Sequence, residues 1–385
     1  MPRSPSRTLR AVPESIVIGA ALAHRAGYGG HAWALLQYVL GFRDLGFDVM
    51  LVDRLDGGML GDGTEEDALR YLRGLLAEDG IEYSVLGEGG QPVGGLARAD
   101  VLQRTAEARF LLNVMGFVRD PELLAAARRR VFLDIDPGFG QVWRELGLAD
   151  VFSDHDRFVT VGRNVGRDGC GVPTCGLQWL KIPHPVVLAR CPVVDGGSDF
   201  TSVGSWRGPY DAIEYDGRRL GLRAHEFRKL VELPSRVDAG FRVALEIDPG
   251  DEADLTSLRE NGWRIVAPRE VASDPAAYLR FVQGSQAEFT VAKGIYVDLH
   301  TGWLGDRTAC YLASGKPALV QDTGLDDHYP LGEGLVAYST LDGAVEGAER
   351  ILAGYAEQAR AARRLAETEL DSRVVLARLV EELGS

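Results

Sequence analysis

Residues 15–53 read SIVIGAALAHRAGYGGHAWALLQYVLGFRDLGFDVMLVD, and this stretch sets the fold. Ser15 to Ala21 is a short apolar run rich in β-branched residues, which predicts a buried strand. From His31 to Leu45 the apolar residues recur at helical spacing, and Gly46 follows as a helix C-cap. A second apolar run, Asp48 to Asp53, comes directly after it. Strand, helix and strand in this order predict a βαβ unit of a parallel, doubly wound sheet.

The same alternation runs through the rest of the 385 residues and restarts after a Pro/Gly/Asp-rich linker at residues 190–199. We therefore predict an α/β protein with two facing doubly wound, Rossmann-like domains and a helical C-terminal segment. The predicted domains are 1–192 and 199–365, and 366–385 is a final helix that crosses back to the first domain. Residues 162–185 are expected to be an irregular excursion that is functional or mobile.

Composition narrows the classes of function. The formal net charge is −14, which argues against sequence-independent nucleic-acid binding. The apolar runs are too short to span a membrane. Arg3, Arg7 and Arg10 precede the run from Ile16, as in a signal peptide, but the β-branched residues favour a strand there. We therefore expect a cytoplasmic protein with no membrane or nucleic-acid partner.

One segment has the composition of an anion site, TGWLGDRTACYLASGKP at residues 301–317. Its glycines permit close backbone approach, and it opens a helix whose free N–H groups favour an anion. The predicted phosphate-site residues are Thr301, Gly302, Trp303, Gly305, Asp306, Arg307 and Thr308. A plain capping turn, with Asp306 as the N-cap, explains the same letters equally well.

The order of motifs in residues 200–370 resembles the donor domain of GT-B-fold glycosyltransferases. The motifs are WRIVAP at 263–268, TGWLGD at 301–306, ASGKP at 313–317 and QDTG at 321–324. The resemblance implies a nucleotide base near Val266 and Pro268 and a hexose near Asp322, Thr323 and Gly324. It departs from the family at TGW, where plant and macrolide enzymes have His-Cys-Gly. It also has no pair of glutamates spaced as in the retaining families. Ser205, at the end of a predicted strand, is a further candidate for a donor phosphate.

The first domain is predicted to bind the acceptor through the Gly-rich loop before the first helix. His24, Tyr28, Gly29 and Gly30 belong to this loop, and His31 lies near the helix start. The positive end of the helix dipole keeps an imidazole neutral, so His31 is the candidate general base. Asp136, or its neighbour Asp134, is predicted to assist it.

Two further sequence patterns suggest other ligands, a dinucleotide cofactor and a metal ion. Gly27, Gly29 and Ala32, with Asp53 after the next strand, fit a dinucleotide fingerprint, although the first glycine lies too far beyond the strand. The triplet Asp154-His155-Asp156 has metal-ligating side chains, but three consecutive residues do not converge easily. We therefore predict neither a dinucleotide cofactor nor a metal.

The resulting prediction is a metal-independent, inverting glycosyltransferase. It would move a hexose from a UDP- or dTDP-sugar, as co-substrate, to a small-molecule acceptor. A nucleotide-sugar 2-epimerase of the same fold and an inactive partner of a true transferase are the alternatives. A homodimer is left open.

Overall fold

The computed structural model describes residues 14–61, 63–208 and 210–384. The strands of the first sheet are β1 Ser15–Gly19, β2 Asp48–Arg54, β3 Glu82–Leu86, β4 Pro92–Gly95, β5 Leu111–Val114, β6 Arg130–Asp134, β7 Arg157–Thr160 and β8 Trp179–Lys181. They lie in the order β4-β3-β2-β1-β5-β6-β7-β8. Only the β3–β4 pair of this order is antiparallel within the described residues. The strand order reverses between β1 and β5, which is therefore the switch point of this sheet.

The second sheet contains β9 Asp199–Ser205, β12 Gly240–Glu246, β13 Trp263–Val266, β14 Ala287–Thr290, β15 Ala318–Gln321 and β16 Leu335–Tyr338. A separate hairpin pairs β10 Ile213–Tyr215 with β11 Arg218–Leu220. The second sheet is parallel in the order β13-β12-β9-β14-β15-β16, the strand order of a Rossmann fold. Its switch point lies between β9 and β14. Both sheets are therefore Rossmann-like.

The helices cover both sheets and the junction between them. Those of the first half are α1 Gly29–Asp44, α2 Glu65–Ala77, α3 Arg98–Glu107, α4 Pro121–Ala126 and α5 Phe139–Glu145. In the second half they are α6 Arg223–Arg228, α7 Leu233–Arg236, α8 Glu252–Glu260, α9 Pro268–Val271, α10 Pro275–Gln283, α11 Gly294–Asp298, α12 Asp306–Ala313, α13 Leu341–Ala353, α14 Tyr355–Leu365 and α15 Ser372–Gly384. A turn of π-helix, Ala366–Leu370, joins the last two.

Several helices begin where capping chemistry places them. Thr64 accepts a hydrogen bond from the Asp67 N–H at the start of α2, whose first turn is acidic. Asp274 caps α10 in the same way and is followed by Pro275 at the first helical position. These starts are readable in the sequence because cap and first turn are local.

The final helix packs on the first domain. Leu376 and Ser372 of α15 lie directly over Gly41 of α1, where a Cβ would overlap them. The chain reaches this position through Val186, which pairs by backbone hydrogen bonds with Leu370 and Ser372 at 2.8 and 2.9 Å. The C-terminal segment therefore ties the second half of the chain back to the first.

The segment 162–185 is less irregular than predicted, because it contains β8, paired in parallel with β7. Its loop contacts the second domain: the Asn164 N–H donates to the Thr301 carbonyl at 3.0 Å. The apolar run at Ile16 forms β1, in the middle of the first sheet. The arginines that precede it, Arg3, Arg7 and Arg10, lie outside the described residues. No helix in the described part of the chain is long and apolar enough to cross a membrane.

Candidate functional site

A cleft of about 790 Å³ separates the two domains at the carboxyl ends of β9, β12 and β13. The first domain lines it with the loop between β1 and α1. Open parallel sheets bind their ligands at this edge beside the switch point, and the volume fits a small-molecule site. The predicted site residues that line the cleft are Tyr28, Gly30, His31, Ser205, Pro268, Asp306 and Arg307.

The other predicted site residues do not line this cleft: His24, Gly29, Asp136, Val266, Thr301, Gly302, Trp303, Gly305, Thr308, Asp322, Thr323 and Gly324. Val266 ends β13 and is half-buried. His24 stacks on Phe117 with ring centroids 5.9 Å apart. Burial, with nearby Arg25, lowers the pKa of His24 to about 4.

The loop predicted to hold the diphosphate is occupied by contacts of its own. The Gly302 N–H donates to the Thr323 carbonyl at 2.7 Å, and the Thr323 hydroxyl donates to the Trp303 carbonyl at 2.7 Å. The Asn164 side chain of the first domain donates to the Gly324 carbonyl at 2.9 Å. The Asp322 carboxylate accepts a hydrogen bond from the Gly324 N–H. Residues 301–305 and 322–324 therefore contact each other and the first domain, and Asp306 and Arg307 are the residues of the predicted phosphate segment that line the cleft.

That helix, α12, reaches the cleft at its N-terminus. Gly305, not Asp306, is the cap residue, and the N–H groups of the first turn have no partner in the helix. Thr308 is buried, and no described residue forms a hydrogen bond with its hydroxyl. Arg307 lines the cleft, but its guanidinium binds the buried Glu288 at 2.8 Å and Thr290 at 2.9 Å. Arg307 thus adds positive potential while most of its donors are engaged.

A further cation, Arg223, lies beside Gly204 of the cleft lining and was not among the predicted site residues. It begins α6 and donates to the carbonyls of Ser205 and Val291 at 2.9 and 3.0 Å. Among the described residues it forms no ion pair. Burial, with the neighbouring Arg307 charge, lowers the pKa of Arg223 to about 10. A mostly buried cation without a carboxylate is costly, and an anionic ligand would offset that cost.

An acidic residue stands at the end of the second strand of the Rossmann-like sheet. Glu246 ends β12 and lines the cleft. In Rossmann domains an acid at this position accepts a ribose hydroxyl. The Tyr28 hydroxyl donates to Glu246 at 2.9 Å, so the two domains are linked directly across the cleft. Glu246 is not recognisable from the local sequence, because its position at the cleft depends on strand order.

His31 lies in the first turn of α1 and faces the cleft. Its Nε2 is 2.6 Å from the Ala21 carbonyl, which can only accept. Nε2 therefore carries the proton in neutral His31, and Nδ1 is the basic nitrogen. Burial lowers the pKa of His31 below its ordinary 6.5. The predicted neutral imidazole is consistent with this environment.

Gly29 lies at a close contact between the two domains, next to the cleft residues Tyr28 and Gly30. Its N–H donates to the Ala272 carbonyl at 2.9 Å, and an added Cβ would overlap the Asp274 carbonyl. We expect Gly29→Ala to lower the free energy of unfolding by about 1–3 kcal/mol through overpacking. Urea unfolding measures it, with Gly57→Ala as the control because a Cβ there meets nothing within 4 Å. Equal losses in both variants would contradict this account.

No family model matches the chain, and no curated protein matches it by sequence. Solved structures do match along nearly the whole chain. The Anabaena protein HepE, solved with UDP-glucose, is 14% identical with a TM-score of 0.59, covering 96% of this chain and 99% of that chain. Staphylococcus aureus TarM, a variant solved with UDP and α-GlcNAc-glycerol, is 8% identical with a TM-score of 0.61, covering 97% and 100%. Sucrose-phosphate synthase from Thermosynechococcus elongatus is 10% identical with a TM-score of 0.57, covering 96% and 99%.

The chain has the GT-B fold. In this fold the predicted catalytic Asp136 belongs to an ion pair between the domains. Lys293 binds both of its oxygens at 2.7 and 2.8 Å. Asp134 is buried and accepts from Gln141 and Thr160, and burial raises its pKa to about 6. Neither aspartate hydrogen-bonds to His31, so the structure does not bring the predicted pair together.

His184 is buried, and within the described part of the chain neither of its ring nitrogens has a hydrogen-bond partner. Burial lowers its pKa, and the Asp306 and Asp136 charges only partly oppose that shift. Its unfolded form binds a proton below about pH 6.5, whereas the folded form resists it, so the folded state loses stability as pH falls.

We therefore expect His184→Leu to gain stability relative to the natural protein as the pH falls from 7 to 5. The gain has a limit of about 1.4 kcal/mol per pH unit. Urea unfolding at several pH values measures it. Two stability curves that stay parallel from pH 7 to 5 would show that protonation of His184 is not the cause.

The residues of the dinucleotide and metal patterns form contacts within the first domain. Asp53 is buried and accepts from the Leu22 and Ala23 N–H groups at 2.8 and 2.6 Å, which leaves little of it for a ribose. His155 packs edge-on against Phe132, and Asp156 binds Arg130. In the part of the chain that the structure describes, no group of three or more ligating side chains could hold a metal.

Proposed function

We propose that this chain is a glycosyltransferase that transfers a hexose from a UDP- or dTDP-sugar to a small-molecule acceptor held by the first domain. The observation that carries the proposal is Arg223. It is a mostly buried cation with no ion pair among the described residues, at the carboxyl edge of a Rossmann-like sheet in a GT-B fold. A diphosphate supplies the negative charge that this position lacks.

The rest of the donor fits around that diphosphate. Pro268 lies where the base would bind, and Glu246 would accept a ribose hydroxyl, as an acid at the end of the second strand does in Rossmann domains. The phosphates would meet the first turn of α12 and the Gly204–Ser205 backbone. Arg223, Arg307 and the α12 dipole together stabilise the charge that develops on the leaving diphosphate.

His31 would act as the base. Its Nδ1 takes the proton of the acceptor hydroxyl as the oxygen attacks the anomeric carbon, and the bond to the diphosphate breaks on the opposite face. This displacement inverts the anomeric centre. The tautomer fixed by the Ala21 carbonyl supports the assignment, because it leaves Nδ1 without a proton.

The direct test is a screen of UDP-, dTDP- and GDP-sugars by thermal shift, followed by product analysis with an acceptor panel. The proposal expects a UDP- or dTDP-sugar to stabilise the fold, and nucleoside diphosphate release to require an acceptor. Conversion of the sugar without an acceptor would replace transfer by epimerisation. Donor binding with no turnover across the panel would leave only a binding role.

We expect turnover to be independent of divalent metal, since two guanidinium groups and a helix N-terminus serve the diphosphate. Initial rates in about 5 mM EDTA, which is a large excess over trace metal, should equal the rates measured with added Mg²⁺ or Mn²⁺. A loss of rate in EDTA that Mg²⁺ restores would contradict this prediction and place a cation at the diphosphate.

A further inference from the structure

A second concave surface lies behind the cleft. It is a groove of about 540 Å³ between α1, α2 and the start of α10, so it spans both domains. Its apolar lining consists of Trp33, Leu36, Leu40, Leu75, Pro275 and Ala276. No residue lines both this groove and the cleft. The volume is in the range of small-molecule sites.

The groove and the cleft are the two sides of one contact. Gly29 meets Ala272 on the cleft side, and the Trp33 indole N–H donates to the Pro275 carbonyl at 2.7 Å on the groove side. A ligand in the groove would therefore touch α1 and α10 where these helices hold the domains together. It would do so without reaching the donor site.

Gly74 leaves the groove open, because glycine has no side chain to enter it. It lies inside α2, lines the groove, and has no positive φ that would require glycine. A Cβ added there meets nothing within 4 Å. Glycine in a helix interior costs about 0.5–1 kcal/mol relative to alanine. Neither packing nor backbone geometry explains that cost, whereas a side chain at this position would project into the groove.

The polar groups of the groove favour a cation. Its carboxylates are Asp67, Glu78, Asp79 and Asp274, against the guanidiniums of Arg70 and Arg190. Asp274 forms no ion pair among the described residues, and Glu78 is 3.9 Å from Arg190. The Tyr71 hydroxyl, on which the Asp274 charge acts, has no hydrogen-bond partner among the residues that the structure describes. Apolar walls with an acidic excess and a free hydroxyl suit an amphipathic amine.

We propose that this groove is a binding site for a small amine with an aromatic or aliphatic body, held between the two domains. The body packs on Trp33 and Leu75, and the ammonium group lies near Asp274, Glu78 and the Tyr71 hydroxyl. The proposal does not depend on the glycosyltransferase activity.

The test is calorimetric titration of the full chain with tryptamine, with tryptophol and indole-3-acetate as its neutral and anionic analogues. We expect tryptamine to bind at least about tenfold more tightly than tryptophol, a difference of about 1.4 kcal/mol, and the acid to bind least. Asp274→Asn retains a helix cap and removes the charge, so it should bring tryptamine and tryptophol to similar affinity.

The position of the ligand is tested at Gly74. Gly74→Phe should abolish tryptamine binding, while the matched Gly74→Ala should retain binding and raise the melting temperature. Absent tryptamine binding, equal binding of the acid, or unchanged binding in Gly74→Phe would each overturn the proposal. If Gly74→Phe does not fold, Asp274→Asn decides: a tryptamine preference that persists in this variant overturns it.

Discussion

Arg223→Gln is expected to weaken UDP binding by roughly 10- to 150-fold, since hydrogen bonds to a charged group contribute about 1.5–3 kcal/mol. Arg223 is a mostly buried cation beside Gly204 of the cleft lining, and it forms no ion pair with a carboxylate of the described chain. The free protein should lose little stability, because the variant gives up two hydrogen bonds to carbonyls but also removes a buried, unpaired charge. Calorimetric titration with UDP and urea unfolding measure the two effects.

Arg219→Gln is the matched control for this prediction. Arg219 lies four residues earlier, is exposed, and changes the net charge by the same amount. UDP affinity that falls equally in both variants would reduce the effect to long-range charge. Unchanged affinity in Arg223→Gln would remove the diphosphate from this site.

Arg307 is a less informative position for the same experiment. Its guanidinium is paired with Glu288, which is fully buried. Removing Arg307 leaves that carboxylate without its partner, at a cost of about 3–5 kcal/mol to the fold. Weak donor binding in Arg307→Ala would therefore mix a lost phosphate contact with a damaged domain. The motif at residues 301–317, which makes Arg307 a candidate, does not reveal its ion pair with Glu288.

The fold was largely predictable because its signals are local. The predicted strands Ser15 to Ala21 and Asp48 to Asp53 correspond to β1 and β2, and the predicted helix His31 to Leu45 corresponds to α1. Their apolar periodicity and caps lie within each segment. The elements that were missed, such as β4 at Pro92–Gly95 and the β10–β11 hairpin, are short. Glycines or charged residues interrupt their pattern, and the pairing strand stabilises them.

The site was predicted less well because burial between domains is not local. Gly302 and Thr323 belong to segments that look like an open, glycine-rich loop, yet Asn164 and its neighbours cover them from the other domain. Arg223 shows the opposite case. It begins a helix, and the local sequence there is typical of an exposed helix end, yet the side chain is enclosed. Only the approach of β9 and β14 shows that its charge is enclosed.

His31→Gln is expected to lower kcat by about 10²- to 10⁴-fold while leaving the Kd for the donor nearly unchanged. Glutamine can still donate to the Ala21 carbonyl as Nε2 does, so the helix start is retained and only the basic nitrogen is lost. His300→Gln, at an exposed position, is the control.

The pH dependence of kcat checks the same assignment. The base must be neutral, and burial lowers the pKa of His31, so the acid limb of the profile should lie below pH 6.5. In His31→Gln that limb should disappear together with most of the rate. A variant that keeps both its rate and its acid limb would show that another group takes the proton. The carboxylates of Glu246 and Asp306, which also line the cleft, would then be the candidates.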